Sequence, residues 1–279
     1  MKRKFSRVNM MVAAVALAVA SFFLRLGQVA AAFDENGMVT GKGVVFFSLF
    51  SVAVTALFAL YSYTLKKRKS YRAIAGQDLP VLAVSVGATM LMIGASAALL
   101  LRPTQAADRV VAIGGMMTGV CWGATAAGRY LGKKVHLSLF MIPAVYYVVV
   151  LVLRFRFWTR DPIIIDYCYD LFALISLMCA SFHLGGFCMD EGHRRLTTFF
   201  NLCSVFFSAA ALVQANKADA LSYVAAILWM MSNLWLLLRP SREKAAVVLA
   251  ELPDEEPEEA EEIEEDEEDE ENEEMSDLP

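Results

Sequence analysis

Two aspartates stand four residues apart in an otherwise apolar stretch, Asp166-Tyr167-Cys168-Tyr169-Asp170. On a helix this spacing puts both carboxylates on one face. If that helix begins near Asp161, a rise of 1.5 Å per residue sets Asp166 about 7 Å and Asp170 about 13 Å along it, well inside a bilayer. An ionised side chain at the bilayer centre costs about 2.5 to 3.5 kcal/mol, so such groups have to be neutralised, paired or turned to water. Two neighbouring carboxylates also repel, which favours a proton on one of them. Arg25, late in the first apolar stretch, reaches a similar depth and is the expected counter-charge. Arg25, Asp166 and Asp170 therefore form the candidate buried polar cluster, read either as a structural ion pair or as a proton or cation site.

A second constellation concerns packing. Gly115, Gly119, Gly123 and Ala127 recur every four residues. Small side chains let helices in lipid approach closely, where van der Waals contact replaces the missing hydrophobic drive. These four residues are the candidate helix-packing face. They place the fourth apolar segment at the centre of the protein, with the third, carrying Ala83, Gly87, Gly94 and Ala98, beside it. A glycine-lined permeation path or a homodimer face is the functional alternative.

Other polar residues carry weaker signals. Cys121, Cys168, Cys179, Cys188 and Cys203 lie in apolar runs without a C-x-x-C pair, which argues against a disulfide framework or a zinc site. His183 is rotated about 140° from Asp170 on a helix and is expected to pack rather than ligate. Asn201, Gln214 and Asn233 are expected to hydrogen-bond between helices. The chain has no G-x-S-x-G elbow, H-E-x-x-H motif or phosphate loop. The sequence thus predicts no catalytic residue, no cofactor and no metal.

The elements that must position these residues follow from composition. The 279-residue chain is 57% hydrophobic, and its mean hydropathy is +0.49. That is too apolar for a water-soluble domain of this size. A spanning helix needs about 20 predominantly apolar residues. Eight such runs occur, near Asn9–Ala32, Val44–Tyr63, Pro80–Leu101, Val110–Arg129, Val135–Leu153, Ile163–Phe187, Leu196–Gln214 and Ala220–Leu238. Asp78 before Pro80 and Asp161 before Pro162 have the pattern of helix starts. The prediction is an all-α, polytopic transmembrane helix bundle of about eight spans over residues 1–245.

Residues 246–279 are predicted to be a disordered acidic tail. Nineteen of the 30 acidic residues lie between Glu251 and Pro279, where there is no Lys or Arg. Residues 1–250 consequently carry 25 basic and 11 acidic residues, a net charge of +14. Charge of one sign at such density cannot bury a core.

Orientation rests on Lys and Arg in the short loops. With the N-terminus cytoplasmic, 17 of the 25 basic residues fall on that side, which makes both termini cytoplasmic. Arg154, Arg156 and Arg160 dissent from this distribution. The basic start and the apolar run from Met10 to Leu24 also match a cleavable signal peptide, but apolar character continues to Ala32 and favours a retained span. The expected partners are the lipid bilayer and, for the tail, a basic protein or the chain's own cytoplasmic loops. Nucleic acid is not among them, because the basic residues sit at loop edges.

Phe33-Asp34 to Gly41, Asp161-Pro162-Ile163 and Tyr167 resemble positions in uncharacterised multi-span membrane proteins of Gram-positive anaerobes. That resemblance implies a bacterial cytoplasmic membrane and carries no activity with it. Two function classes remain. One is a noncatalytic scaffold, accessory or sensor component. The other is a transporter or channel using the carboxylates of the sixth span.

Overall fold

The computed structural model describes residues 2–32, 42–76, 78–103, 105–158 and 167–239. The acidic tail, the residues from Phe33 to Gly41, and Asp161, Pro162 and Asp166 lie outside them. The described chain is helical throughout, with eight long helices. They are α1 (Lys2–Ala32), α2 (Lys42–Thr64), α3 (Leu79–Leu101), α4 (Ala106–Tyr130), α5 (Ser138–Trp158), α6 (Cys168–Gly186), α7 (Arg194–Ala211) and α8 (Lys217–Leu237). All but α7 are long and apolar enough to cross a membrane, so this is a multi-pass membrane protein.

Helices α3 to α8 pack in a closed circuit: each contacts the next, and α8 returns to α3. Helices α1 and α2 attach through α7, which touches α1, α2, α6 and α8. This explains the composition of α7. Its Arg194, Thr197, Thr198, Asn201, Ser204 and Ser208 would suit a lipid-facing helix poorly, and fourteen of its eighteen residues are buried by the other helices. Helix α2 is the opposite case. Phe47 and Phe58 face inward, with Phe58 edge-on to Phe206 of α7, while Val45, Leu49, Val52 and Leu60 are exposed as a lipid-facing stripe requires.

The central position expected for α4 belongs instead to α7. Helix α4 packs against α3 and α5 and leaves Val110, Ile113, Met117 and Val120 exposed along one side. Its glycines do secure a close neighbour. A Cβ at Gly119 would lie 2.6 Å from Ile93 Cγ1, one at Gly123 would lie 3.3 Å from Thr89 Cγ2, and one at Gly115 would collide with Ser96 Oγ, all on α3. Close approach to one partner is a different property from centrality. Ala127, the fourth member of the expected face, is exposed. A strict four-residue repeat rotates about 40° per step on a helix, so Ala127 points about 120° away from Gly115.

Large side chains bridge the circuit. Trp122 of α4 and Trp229 of α8 stack with ring centroids 5.0 Å apart and planes 9° apart. Ser85 of α3 donates to Ser232 of α8 at 3.1 Å. At the face where α1 begins, connecting segments are tied together. Gly192 N donates to Lys69 O, Tyr71 N donates to Asp190 Oδ1, and Lys134 pairs with Asp190 at 2.8 Å. Asp190 takes the left-handed backbone conformation at φ 57, which a short polar side chain tolerates. Helix α4 closes through Gly132 at φ 70, the position where glycine avoids a Cβ clash. Asp78, expected to cap α3, makes no side-chain capping bond and pairs with Arg239 beyond the end of α8.

Candidate functional site

Helix order brings the ends of all the even helices from α4 onward to one place. At the face opposite the start of α1, helices α4, α6 and α8 begin, and each carries an aspartate in its first turn: Asp108, Asp170 and Asp219. The local chemistry is that of helix starts, since a carboxylate there offsets the positive end of the helix dipole. Gln105 and Asp108 form a reciprocal capping box. Asn216 caps α8 by accepting from Asp219 N at 2.9 Å, and its Nδ2 donates to Asp219 Oδ2 at 2.8 Å. The same face receives the late residues of α1 and α5, including Arg25 and Arg154.

Arg154 organises the cluster. Its Nη1 donates to both oxygens of Asp170, at 2.8 and 3.1 Å, and to the Tyr223 hydroxyl at 3.1 Å. Its Nη2 pairs with Asp219. One guanidinium thus holds carboxylates from two helices, and all three side chains retain between 16% and 21% of their exposure. The fork of five donors makes this division possible, which a lysine would not.

Arg25 is almost fully buried, at 1% exposure. It donates to Gln28 Oε1 at 2.9 Å and to Gln214 Oε1 at 2.8 Å, and its guanidinium lies 4.8 Å from the centroid of the Tyr169 ring. The expected partner of Arg25 is Asp166 or Asp170; among the described residues Asp170 is paired with Arg154 instead, and a pairing with Asp166 lies outside them. The reason is packing: α5 lies directly against α6, whereas α1 leans on α2 and α7. The expected depth also changes. Helix α6 is described from Cys168, so Asp170 stands in its first turn rather than 13 Å along it. Asp166 is outside the described residues.

Arg25 and Asp170 nevertheless line one cavity of about 340 Å³, together with Asp108, Arg154, Gln214 and Asp219. Leu99, Val111, Leu153 and Ala211 supply apolar wall, and Tyr169 supplies an aromatic one. A narrow space of about 20 Å³ continues beneath it, sharing Arg154 and Asp219 and bordered by Tyr146, Tyr147 and Tyr223. Deeper still, the circuit is filled by Trp122 and Trp229, each 1% exposed. Among the described residues no set of three or more His, Cys, Asp or Glu is placed to hold a metal ion.

The opposite end of the circuit holds another buried arginine. Arg129 donates to Asn233 Oδ1 at 2.7 Å and lies 5.2 Å from the Phe140 ring centroid and 5.7 Å from that of Trp229. Among the remaining sequence candidates, His183 stacks on Phe200 of α7 at 5.3 Å, and Asn201 donates to Thr197 O within its own helix. None of the five cysteines is in a disulfide.

Sequence reading missed Arg154, Asp108 and Asp219 as site residues. The last two did carry a signal. Gln105-x-x-Asp108 and Asn216-x-x-Asp219 each place a capping residue three positions before a carboxylate at the start of an apolar run. No family model, curated protein or solved structure matches this chain.

Proposed function

We propose that the protein is a noncatalytic sensor or accessory component of a bacterial cytoplasmic membrane, and that it takes a small polar solute into the cavity beside Arg154. The observation that carries this reading is a cavity of about 340 Å³ backed by packed aromatic side chains. Its volume is within the range of small-molecule sites, and polar and apolar side chains share its wall about equally. Counting 1.5 Å per helical residue, Tyr147 lies about 10 Å beyond Arg154, and Trp229 about 15 Å beyond Asp219. A filled interior at that depth suits reception of a solute better than its passage. With both termini cytoplasmic, the cavity opens to the outside, and residues 251–279 offer an acidic element for a partner within the cell.

Thermal unfolding of the full chain in lipid nanodiscs, against pooled small polar solutes, tests the reading. A solute that raises the midpoint for the native chain should fail with Ala215→Trp, which fills the cavity from the α7–α8 connection. Equal shifts in both proteins would discount the cavity. Truncation before Glu251 should leave solute binding intact while releasing a co-purifying partner. A transport reading draws on the ionisable groups lining the cavity. It gains if proteoliposomes show pH-dependent solute flux that Asp170→Asn abolishes.

A further inference from the structure

At the face where α1 begins, the end of α2 joins an apolar flank to a row of positive charge. Leu49, Val52, Leu60 and Tyr63 are each exposed by 65% or more. At about 100° per residue they fall within about 80° of one another, so they form one lipid-facing stripe that ends at Tyr63. Directly after the span, which closes at Thr64, come Lys66-Lys67-Arg68-Lys69. Arg68 turns inward, and its Nη1 donates to Arg239 O at 3.0 Å. Lys66, Lys67 and Lys69 are exposed, and their ammonium groups meet no partner among the described residues. The connection packed beside them contributes Asp190, already held by Lys134 and Tyr71 N, and the exposed Glu191.

Loop lysines need no fixed position to orient a membrane protein. Arg195 of α7 is different, because two contacts hold its guanidinium in place. Its Nε donates to Leu65 O at 2.7 Å, and the guanidinium carbon lies 4.8 Å from the centroid of the Tyr63 ring. Those contacts leave Nη1 and Nη2 without a hydrogen-bond partner among the described residues, on a side chain that is only partly buried. A planar fork of donors fixed in this way fits two oxygens of one phosphate. It stands over the last ring of the exposed stripe, at the level where hydrocarbon gives way to headgroups.

The geometry points to a site for an anionic phospholipid at this end of α2. Its phosphate lies on the Nη1–Nη2 edge of Arg195 with the three lysines around it, and its acyl chains run along Leu60, Val52 and Leu49. The site stands whether or not a solute enters the cavity at the opposite face. The test is native mass spectrometry of the full chain released from micelles, with phosphatidylglycerol, phosphatidylcholine and soluble sodium glycerol phosphate offered one at a time. Residues 251–279 are present throughout, so preference is measured against the chain's own carboxylates. Phosphatidylglycerol should be retained at about tenfold lower concentration than phosphatidylcholine, as the attraction of anionic lipid for a few basic side chains predicts. Arg195→Gln should remove most of that preference, and so should the combined Lys66→Gln, Lys67→Gln and Lys69→Gln. The lysines are exposed and outside the helices, so the combined variant decides the matter if Arg195→Gln, which also gives up the bond to Leu65 O, fails to fold. Equal retention of the two lipids, retention of neither, or a preference unchanged by the variants would overturn the proposal. Glycerol phosphate bound as tightly as the lipid would assign the fork to a soluble phosphate ester and overturn the lipid.

Discussion

Arg154 on α5 meets Asp219 on α8 from across the helix circuit while the same guanidinium grips Asp170 on α6. Three helices are thereby joined by one side chain at the rim of a cavity. Replacing it strands two carboxylates close together. Arg154→Met should lower stability by about 3 kcal/mol, toward the lower end for broken buried pairs because the groups keep some exposure. Chemical denaturation in detergent would measure it. Adding Asp170→Asn and Asp219→Asn to the same chain should restore more than half of the loss. An Arg154→Met protein as stable as the native chain would mean that the triad contributes nothing to the fold.

The contact between α3 and α4 gives a position-specific forecast. Gly119→Leu must push Ile93 aside and should cost about 1–3 kcal/mol, the usual range for overpacking. Ala127→Leu, on an exposed site, should stay within about 0.5 kcal/mol. Melting temperatures of the two variants in one detergent decide it, and similar losses would contradict the rotation of the stripe away from α3.

Acid should loosen the connecting segments. The hydrogen bond from Lys134, and then the one from Tyr71 N, hold the Asp190 carboxyl below its ordinary value of 3.8. Its contribution is present above that ordinary value and is lost as pH falls through the depressed one. Lys134, raised above 10.5 first by its hydrogen bond to Asp190, contributes fully below 10.5 and loses this as pH rises through its folded value. Amide exchange at Tyr71, corrected for the intrinsic rate, should therefore accelerate below the carboxylate range and again in strong alkali. Asp190→Asn keeps a side chain suited to φ 57 and should remove the acid limb and weaken the alkaline one, because Lys134 then loses its carboxylate partner. An unchanged acid limb in that variant would place its origin elsewhere.

Arg129 and Asn233 provide a double-mutant cycle. Asn233→Leu withdraws the acceptor 2.7 Å from a guanidinium on a residue 4% exposed, and should cost about 2–3 kcal/mol. Arg129→Met combined with Asn233→Leu should be milder than the sum of the single changes, because no guanidinium is then left at that site without its acceptor. Simple additivity in denaturant midpoints would show that the two side chains are uncoupled.

Much of the helix framework was legible because the signals are local. Every expected span overlaps an observed helix, since a run of about 20 apolar residues has few other uses. Gly115, Gly119 and Gly123 likewise meet α3 as small residues should. The partner of Asp170 was not legible in the same way. Arg25 and Arg154 are equally plausible by depth, and only the adjacency of α5 with α6 selects between them. The prominence of α7 was hidden for a related reason: its polar residues weaken the very hydropathy that identifies spans. Asp108 and Asp219 could have been read as helix starts, but their meeting at one cavity depends on a circuit closed by α8 returning to α3.

The character of α7 has a consequence for its burial. A segment opening with Arg194 and Arg195 and carrying Thr197, Thr198, Asn201 and Ser204 gains little by partitioning alone into lipid. Three of its neighbours, α1, α2 and α6, precede it in the chain, and α8 follows. The burial of α7 therefore depends on helices that lie both before and after it in the chain, which together shield its polar side chains from lipid.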